Sequence, residues 1–324
     1  MQLEQPPAFA VIGETIIDLV DPGDGSACLA HPGGGPLNVA IGLARLGNPT
    51  AFVGRMSRDP LGTVLRRHLE RSGVDISAVV WGGEPSTIAL LELSDGKAVY
   101  EFSASGTADF QWSAEEVAVL PAGAPVVHFG SLTSWQPPGD EVVNRRIAEL
   151  RAAGTVLVSY DPNARPTLQL DAASARAKVA RSAGLAHVIK ASSDDIDWLY
   201  DGRDLDSVAA GWLRGGAALV VITTGPGGAT AWVPGLAPVT RPAFAARLVD
   251  TVGAGDAFMS GLLDALGRRG LATPGALGAL ADPAALAAII DHALVVAAIT
   301  CGRAGADPPS GAEVAAFLAA RYRD

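Results

Sequence analysis

Lysine is nearly missing from this chain. Three occur in 324 residues: Lys97, Lys178 and Lys190. None completes G-x-x-x-x-G-K-[ST], so a P-loop is excluded. G-x-S-x-G and H-E-x-x-H are missing too. No G-x-G-x-x-G follows the first apolar run, which weighs against a dinucleotide oxidoreductase. Basic residues as a whole are short, with 24 Lys and Arg against 34 Asp and Glu, a formal charge of −10 and a pI of about 5.0. Such a surface repels nucleic-acid phosphates and anionic lipid, so neither nucleic acid nor a membrane is expected as a partner. An anionic ligand would need a local device to hold it.

Cysteine is equally scarce. Cys28 and Cys301 are too few and too far apart for a disulfide framework or a zinc knot. They read as buried, reduced thiols in a reducing compartment, hence a cytoplasmic protein. The opening MQLEQPPAFAVIGE has no basic start followed by an apolar run, so no secretory signal is expected. The apolar stretch 284–301 is interrupted by Asp291 and His292. A membrane span needs ~18 or more nearly uncharged residues, so this stretch reads as a buried helix. The five histidines, His31, His68, His128, His187 and His292, are scattered and read as surface or satisfied core residues rather than metal ligands.

What is present is apolar: 49% hydrophobic and 18% charged residues, with a mean hydropathy of +0.28. Such a chain can bury enough surface to offset its ordering entropy. The length suits about two domains of ~150 residues. Neither a linker nor a repeat is visible, so one domain spanning 1–324 with a small β excursion is expected.

Apolar runs of strand length at 9–17, 50–53, 126–129, 156–160, 187–189 and 219–223 alternate with helical stretches. The helical stretches fall at 38–46, 61–72, 140–153, 172–184, 194–200, 205–213, 254–269, 283–300 and 311–321. Continuous apolar strands between helices indicate an α/β fold with a parallel sheet covered on both faces. Gly47, Gly73, Gly154 and Gly270 follow helical stretches, where a left-handed residue is needed. One interval differs. Strands at 86–93 and 98–103 flank Ser94-Asp95-Gly96-Lys97, a hairpin turn signal. This hairpin is either a lid or an edge decoration.

Four loops carry candidate chemistry. Asp250-Thr251-Val252-Gly253-Ala254-Gly255-Asp256-Ala257-Phe258 opens a helix. Gly253 and Gly255 allow close backbone approach, and the free N–H groups of a first helical turn bind phosphate without a net positive protein. A carboxylate repels phosphate, so Asp256 there makes sense if it takes the proton of a hydroxyl attacking that phosphate. The bland alternative is an acid complementing a helix dipole. Gly33-Gly34-Gly35-Pro36-Leu37-Asn38 enters another helix, with Asn38 able to hold a hydroxyl or to act as an N-cap. Thr223-Thr224-Gly225-Pro226-Gly227-Gly228 follows a strand, as ligand turns do in open α/β sheets, or is a hairpin into 229–233. Lys190-Ala191-Ser192-Ser193-Asp194-Asp195 follows another strand, its acids either capping a helix or holding Mg²⁺ through water.

In this order the runs resemble the ribokinase-like (PfkB-type) carbohydrate kinases over nearly the whole chain. The N-terminal signature is similar to PGGGPLNVAIGLARLG, the C-terminal one to DTVGAGDAF, and the T-x-G-x-x-G turn to Thr223, Gly225 and Gly228. GETIIDLV at 13–20, SGTADFQW at 105–112, YDPNAR at 160–165 and TCGRAGADPP at 300–309 resemble the fructokinase branch. The resemblance implies a doubly wound, mainly parallel sheet with a small β-sheet lid near 15–20 and 86–103, and a sugar between the two. It implies ATP as donor to a primary hydroxyl, most like fructose to fructose 6-phosphate. The runner-up acceptors are 2-keto-3-deoxygluconate and ribose, and a non-catalytic sugar or nucleotide sensor on the same fold is the contrasting class.

The resemblance further implies Asp18, Gly34, Asn38 and Arg165 on the sugar. Asp256 becomes the base, with the amides of Gly253, Ala254 and Gly255 as anion hole. Lys190, Ser192, Thr223, Gly225 and Gly228 fall on the nucleotide side. The family's N-x-x-E motif, linked to Mg²⁺ and phosphate, falls on Ser192 and Asp195, so Asp195 would reach Mg²⁺ through water. The family's frequent Asn near the adenine falls near Leu294. K⁺ is implied at carbonyls near Asp250, Val252, Thr300, Arg303 and Gly305, and a homodimer through the lid.

Overall fold

The computed structural model describes residues 5–20, 28–94, 97–120, 124–168, 171–244 and 247–321. The expected hairpin turn at Asp95-Gly96 lies outside them. The apolar runs form an eight-stranded central sheet. Its order is Val239–Arg241, Ala229–Trp232, Leu219–Thr223, Val188–Ser192, Leu157–Asp161, Val126–Gly130, Phe9–Ile12 and Thr50–Val53. From Leu219–Thr223 to Thr50–Val53 all pairs are parallel, and the two strands at the other edge are antiparallel.

Alternate residues of each strand feed two cores. Val11, Val221 and Phe52 pack with helices Gly35–Arg45, Ala254–Arg268 and Pro283–Cys301. Ala10, Ile12 and Val220 face helices Asp140–Ala153, Ala172–Ala183, Ser193–Tyr200 and Leu205–Arg214. Both faces are thus covered, as the parallel part of such a sheet requires. Phe9–Ile12 pairs with Thr50–Val53 on one side and Val126–Gly130 on the other. The strand order therefore reverses there, and open α/β sheets bind ligands beyond the carboxyl ends of strands at such a point.

The apolar run 9–17 is not one strand. It leaves the central sheet at Ile12 and re-enters a second sheet at Ile16–Val20. The break has a steric cause: a Cβ on Gly13 would lie 2.1 Å from Pro36 Cγ, so the chain crosses directly over the start of a helix. The second sheet runs Leu29–Gly33, Ile16–Val20, Thr87–Ser94, Lys97–Ser103. Leu29–Gly33 carries His31, Pro32 and a glycine, so neither alternation nor apolar content announced it. Two buried carboxylates sit where this sheet joins the body. Asp109 accepts from Thr15 N, Thr15 Oγ1 and Thr87 Oγ1 at 2.7, 3.0 and 2.7 Å. Glu14 Oε2 accepts from Thr133 N and Oγ1 at 3.0 and 2.7 Å. Burial, above all, raises the Asp109 pKa to about 6.

Helix ends follow their local chemistry. Gly47, Gly73, Gly154 and Gly270 take φ of 94°, 80°, 69° and 69°, and Asp59, Asp171, Asp204 and Asp282 cap helix starts. Pro283–Cys301 is long and apolar enough to cross a membrane, yet Leu286, Ile289, Ile290, Ala293 and Val295 are fully buried in the protein. The thiols depart from expectation: Cys28 is exposed and Cys301 half-buried. Cys28 immediately precedes Leu29–Gly33, an edge strand of the second sheet. His128 and His187 are buried and bonded, to Ser159 Oγ and Val158 N, and the half-buried His292 is bonded to Asp264.

Asp264 has no exposed side-chain surface and joins three elements. Arg268 Nε, His292 Nε2 and Asn48 Nδ2 donate to it at 2.7, 2.8 and 3.0 Å. Burial pushes its pKa up, but these bonds outweigh burial and hold it below the usual carboxylate range. A depressed carboxylate adds stability above its unfolded pKa and loses it as pH falls through the folded value. Asp264→Ala should cost about 1–3 kcal/mol at neutral pH by leaving three donors unpaired. Urea melts should show the gap to wild type narrowing as the pH is lowered below 4.

Candidate active site

Two helix starts meet at the carboxyl edge of the central sheet. Gly253, at φ 73°, caps Ala254–Arg268 in a left-handed conformation that L residues rarely adopt. Ala254 gives its N–H to Thr251 O at 3.2 Å, and the first helical bond runs from Ala257 to Gly253 at 2.8 Å. Among the described residues no acceptor takes the N–H groups of Gly253, Gly255 or Asp256. Unengaged donors with a helix dipole behind them are an arrangement able to bind a phosphate or another anion.

The Asp256 side chain sits beside them. Its Oδ2 accepts from Asn38 Nδ2, in helix Gly35–Arg45, at 2.8 Å. Asn38 Oδ1 is buried and has no partner among the described residues, an acceptor awaiting a hydroxyl. Burial raises the Asp256 pKa to about 6, with the Asn38 bond, Lys190 and Arg165 opposing the rise and Asp161 adding to it. A carboxylate so placed is ionised at neutral pH yet basic enough to accept a proton.

Asp18 comes from the second sheet and completes the opposite wall. Its carboxylate lies over Gly33, where a Cβ would be 2.1 Å from Oδ2. Its pKa is also about 6, raised by burial, lowered by Arg165 and raised by Asp256. The Arg165 guanidinium therefore acts on both carboxylates. It donates to the carbonyls of Asn163 and Ala164 at 3.2 and 3.1 Å. Gly34, at φ 111°, precedes the helix and accepts from Asn38 N at 2.9 Å. Asp18, Gly34, Asn38, Arg165 and Asp256 are thus one cluster drawn from four segments.

Lys190 closes the cluster from the sheet. Its Nζ donates to Asp161 Oδ2 at 2.9 Å, with both side chains buried. Its tip also presses on the anion site, because a Cβ on Gly255 would lie 2.9 Å from Nζ. Burial lowers the Lys190 pKa, but Asp161 outweighs it and the net shift is upward, so the ammonium stays charged. Ser192 and Asp195 form a capping box on Ser193–Tyr200. Asp195 Oδ2 accepts from Ser192 N and Oγ at 2.9 and 2.7 Å, and Oδ1 accepts from Ala164 N at 2.7 Å. Thr223 ends its strand, and Gly225 and Gly228 make the tight turn into Ala229–Trp232.

The segment before the anion site is tied to the end of Pro283–Cys301. Asp250 Oδ1 accepts from Val252 N at 3.0 Å and Oδ2 from Gly305 N at 2.8 Å. The Cys301 carbonyl accepts from Val249 N and Asp250 N, and the Thr300 carbonyl from Arg303 N. A groove of about 280 Å³ lies elsewhere, among Tyr200, Arg203, Trp212 and Arg214, and touches none of these groups.

Residues 8–312 match the pfkB family carbohydrate kinase model. The chain belongs to the pfkB family of carbohydrate kinases. It is similar to a fructokinase of Rhizobium leguminosarum bv. trifolii, 37% identical over 264 residues, 81% of this chain and 80% of that one. Among solved structures it resembles fructokinase with bound ATP from Xylella fastidiosa, with TM-score 0.90 and 26% identity over 98% and 99% of the two chains. It also resembles a double mutant of Vibrio cholerae O395 fructokinase in a fructose, ADP and potassium ion bound form, with TM-score 0.83 and 25% identity over 97% and 100%. The fold is therefore the ribokinase-like one, and the chain is an ATP-dependent sugar kinase.

Three further groups of this pfkB kinase adjoin the cluster without having drawn notice in the sequence. Asp161 and Asn163 lie inside YDPNAR, where only Arg165 stood out. Ser131 had no signal. It takes φ 50° and ψ −150°, a region nearly confined to glycine, and such strain gathers at functional sites. Ser131 N is held by Asp161 O at 2.8 Å. Asn163, also left-handed at φ 39°, reaches Ser131 Oγ at 3.4 Å. Gly35 backs onto this wall: a Cβ there would lie 2.6 Å from Asn163 Nδ2 and 3.3 Å from Asp256 Oδ1. Gly35→Ala should lower kcat by roughly 10- to 100-fold through misplacement of these groups, with far-UV circular dichroism unchanged. An unaltered kcat would show that Asp256 does not depend on this neighbour.

Proposed function

We propose that this kinase transfers the terminal phosphoryl group of ATP to the primary hydroxyl of fructose, giving fructose 6-phosphate and ADP. The observation that carries the reading is Asp256, a carboxylate with a raised pKa beside unengaged helix-terminal amides. The hydroxyl oxygen forms a bond to the terminal phosphorus as the bond to the ADP oxygen breaks, and the hydroxyl proton passes to Asp256. The amides of Gly253 and Gly255 face the charge that develops on the moving group, the main source of catalysis in phosphoryl transfer, whereas Ala254, expected beside them, gives its N–H to Thr251 O at 3.2 Å.

Asp18, Gly34, Asn38 and Arg165 hold the sugar. Two carboxylates, Asp18 and Asp256, flank the single guanidinium of Arg165. That balance favours a neutral sugar over an acid such as 2-keto-3-deoxygluconate. Fructokinase as the name of the similar proteins supports fructose over ribose. Lys190, Ser192, Thr223, Gly225 and Gly228 line the nucleotide side.

Mg²⁺ accompanies ATP in this reading and offsets the charge of the triphosphate. Both Asp195 oxygens already accept bonds from the protein. Mg²⁺ keeps several waters and leans on substrate phosphates, so Asp195 suits contact through water. K⁺ suits the carbonyl-rich loops at Asp250, Val252, Thr300, Arg303 and Gly305, which the Asp250 bonds draw together. The whole chain acts as one kinase unit, its second sheet serving as the lid that excludes water. Exposed Leu29 and Leu90 on that sheet suit pairing of two lids in a homodimer, and the setting is the cytoplasm.

Asp256→Asn should lower kcat by about 10²–10⁴-fold, with sugar and ATP affinities by calorimetry near wild type. Wild-type turnover in that variant would remove Asp256 from its role. A base must be ionised, so kcat/KM for wild type should fall as the pH drops below about 6. A panel of fructose, ribose and 2-keto-3-deoxygluconate assayed with ATP and Mg²⁺ tests the acceptor. Sugar binding with no phosphorylated product from any of them would point to a sensor.

A further inference from the structure

The Lys190–Asp161 pair lies under the proposed active site, and nothing so far gives Asp161 a role. Three observations bear on it. The pair is buried, with Nζ to Oδ2 at 2.9 Å and side-chain exposures of 5% and 6%. The ammonium abuts Gly255, inside the first turn of the helix that carries Asp256. Asp161 has its remaining polar atoms committed to the same wall, with Oδ1 accepting from Asn163 N at 3.2 Å and its carbonyl from Ser131 N at 2.8 Å. A buried ion pair is costly to desolvate and is weak evidence for stability. Its position is therefore the part that calls for a function.

We propose that Asp161 is a positioning residue that fixes the Lys190 ammonium beside the anion site, where its charge keeps the Asp256 carboxylate ionised and ready to take the hydroxyl proton. The proposal rests on the reading of Asp256 as base. The charged groups facing Asp256 are Lys190, Asp161, Arg165 and Asp18. Those facing Lys190 are Asp161, Asp195, Asp256 and the neutral imidazole of His128. Within this set Lys190 draws the Asp256 pKa down and Asp161 pushes it up, and Lys190 has the larger effect. Asp161 thus serves the base only through the lysine that it holds. Charge close to Asp256 is what matters, so the two members of the pair act on it in opposite directions.

The test is the acid limb of kcat/KM for sugar against pH, measured at saturating ATP and Mg²⁺. Lys190→Met removes a positive neighbour, and the limb should move up by about one pH unit, roughly a tenfold loss of activity below it. Asp161→Asn removes a negative neighbour but also frees the Lys190 ammonium from its place beside Gly255, and if Asp161 serves through the lysine the limb should move up, by less than in Lys190→Met. The double variant, Lys190→Met with Asp161→Asn, removes both charges of the pair together and so should fold even where a single variant does not. Its limb should lie above that of wild type but below that of Lys190→Met. A limb unmoved in Lys190→Met and in the double variant, or moved down or left in place by Asp161→Asn, overturns the proposal. If wild type itself phosphorylates no sugar, or its acid limb survives Asp256→Asn unchanged, the underlying reading of Asp256 fails instead.

Discussion

A carboxylate is held at the start of Ala254–Arg268 beside the amide protons of Gly253 and Gly255, which no acceptor among the described residues takes, and most of the surrounding architecture answers to that placement. Burial disfavours the charge on Asp256, and an isolated buried carboxylate would simply protonate. The chain counters with one hydrogen bond from Asn38, with Lys190 from the sheet and with Arg165 from the loop after Leu157–Asp161. Each counterweight comes from a different segment. The site therefore exists only when both helix starts and three strand ends are in register.

The fold supplies that register by close contact. The switch in strand order beside Phe9–Ile12 opens a crevice at the carboxyl edge, and the helices starting at Gly35 and Ala254 aim their first turns into it. Glycines at 33, 35 and 255 let Asp18, Asp256 and Lys190 approach main chain that a Cβ would block. Strained Ser131 and left-handed Asn163 stand against the same wall. Local preference is overridden there, and tertiary packing carries the cost.

Much of this was legible in one dimension. The strands at 50–53 and 219–223 and the helices at 140–153 and 311–321 occur at the expected bounds, because uninterrupted apolar runs and amphipathic stretches set them locally. Asp18, Asn38, Arg165 and Asp256 could be named because Gly-rich turns and the family resemblance marked their segments. The bend at Gly13 could not be read, since its cause is Pro36, distant in sequence. Leu29–Gly33 could not be read because a partner strand, not its own composition, makes it a strand. Asp161 and Ser131 stayed hidden for a similar reason: their meaning lies in what they touch.

The sequence by itself determined the class of fold, the helix start at Ala254 and the presence of a carboxylate within it, because periodicity, glycine placement and capping act over a few residues. Only the tertiary structure decided that Asp18, Asn38, Arg165, Lys190 and Asp256 share one electrostatic field. Charges interact through space and solvent exclusion, and neither is encoded by separation along the chain.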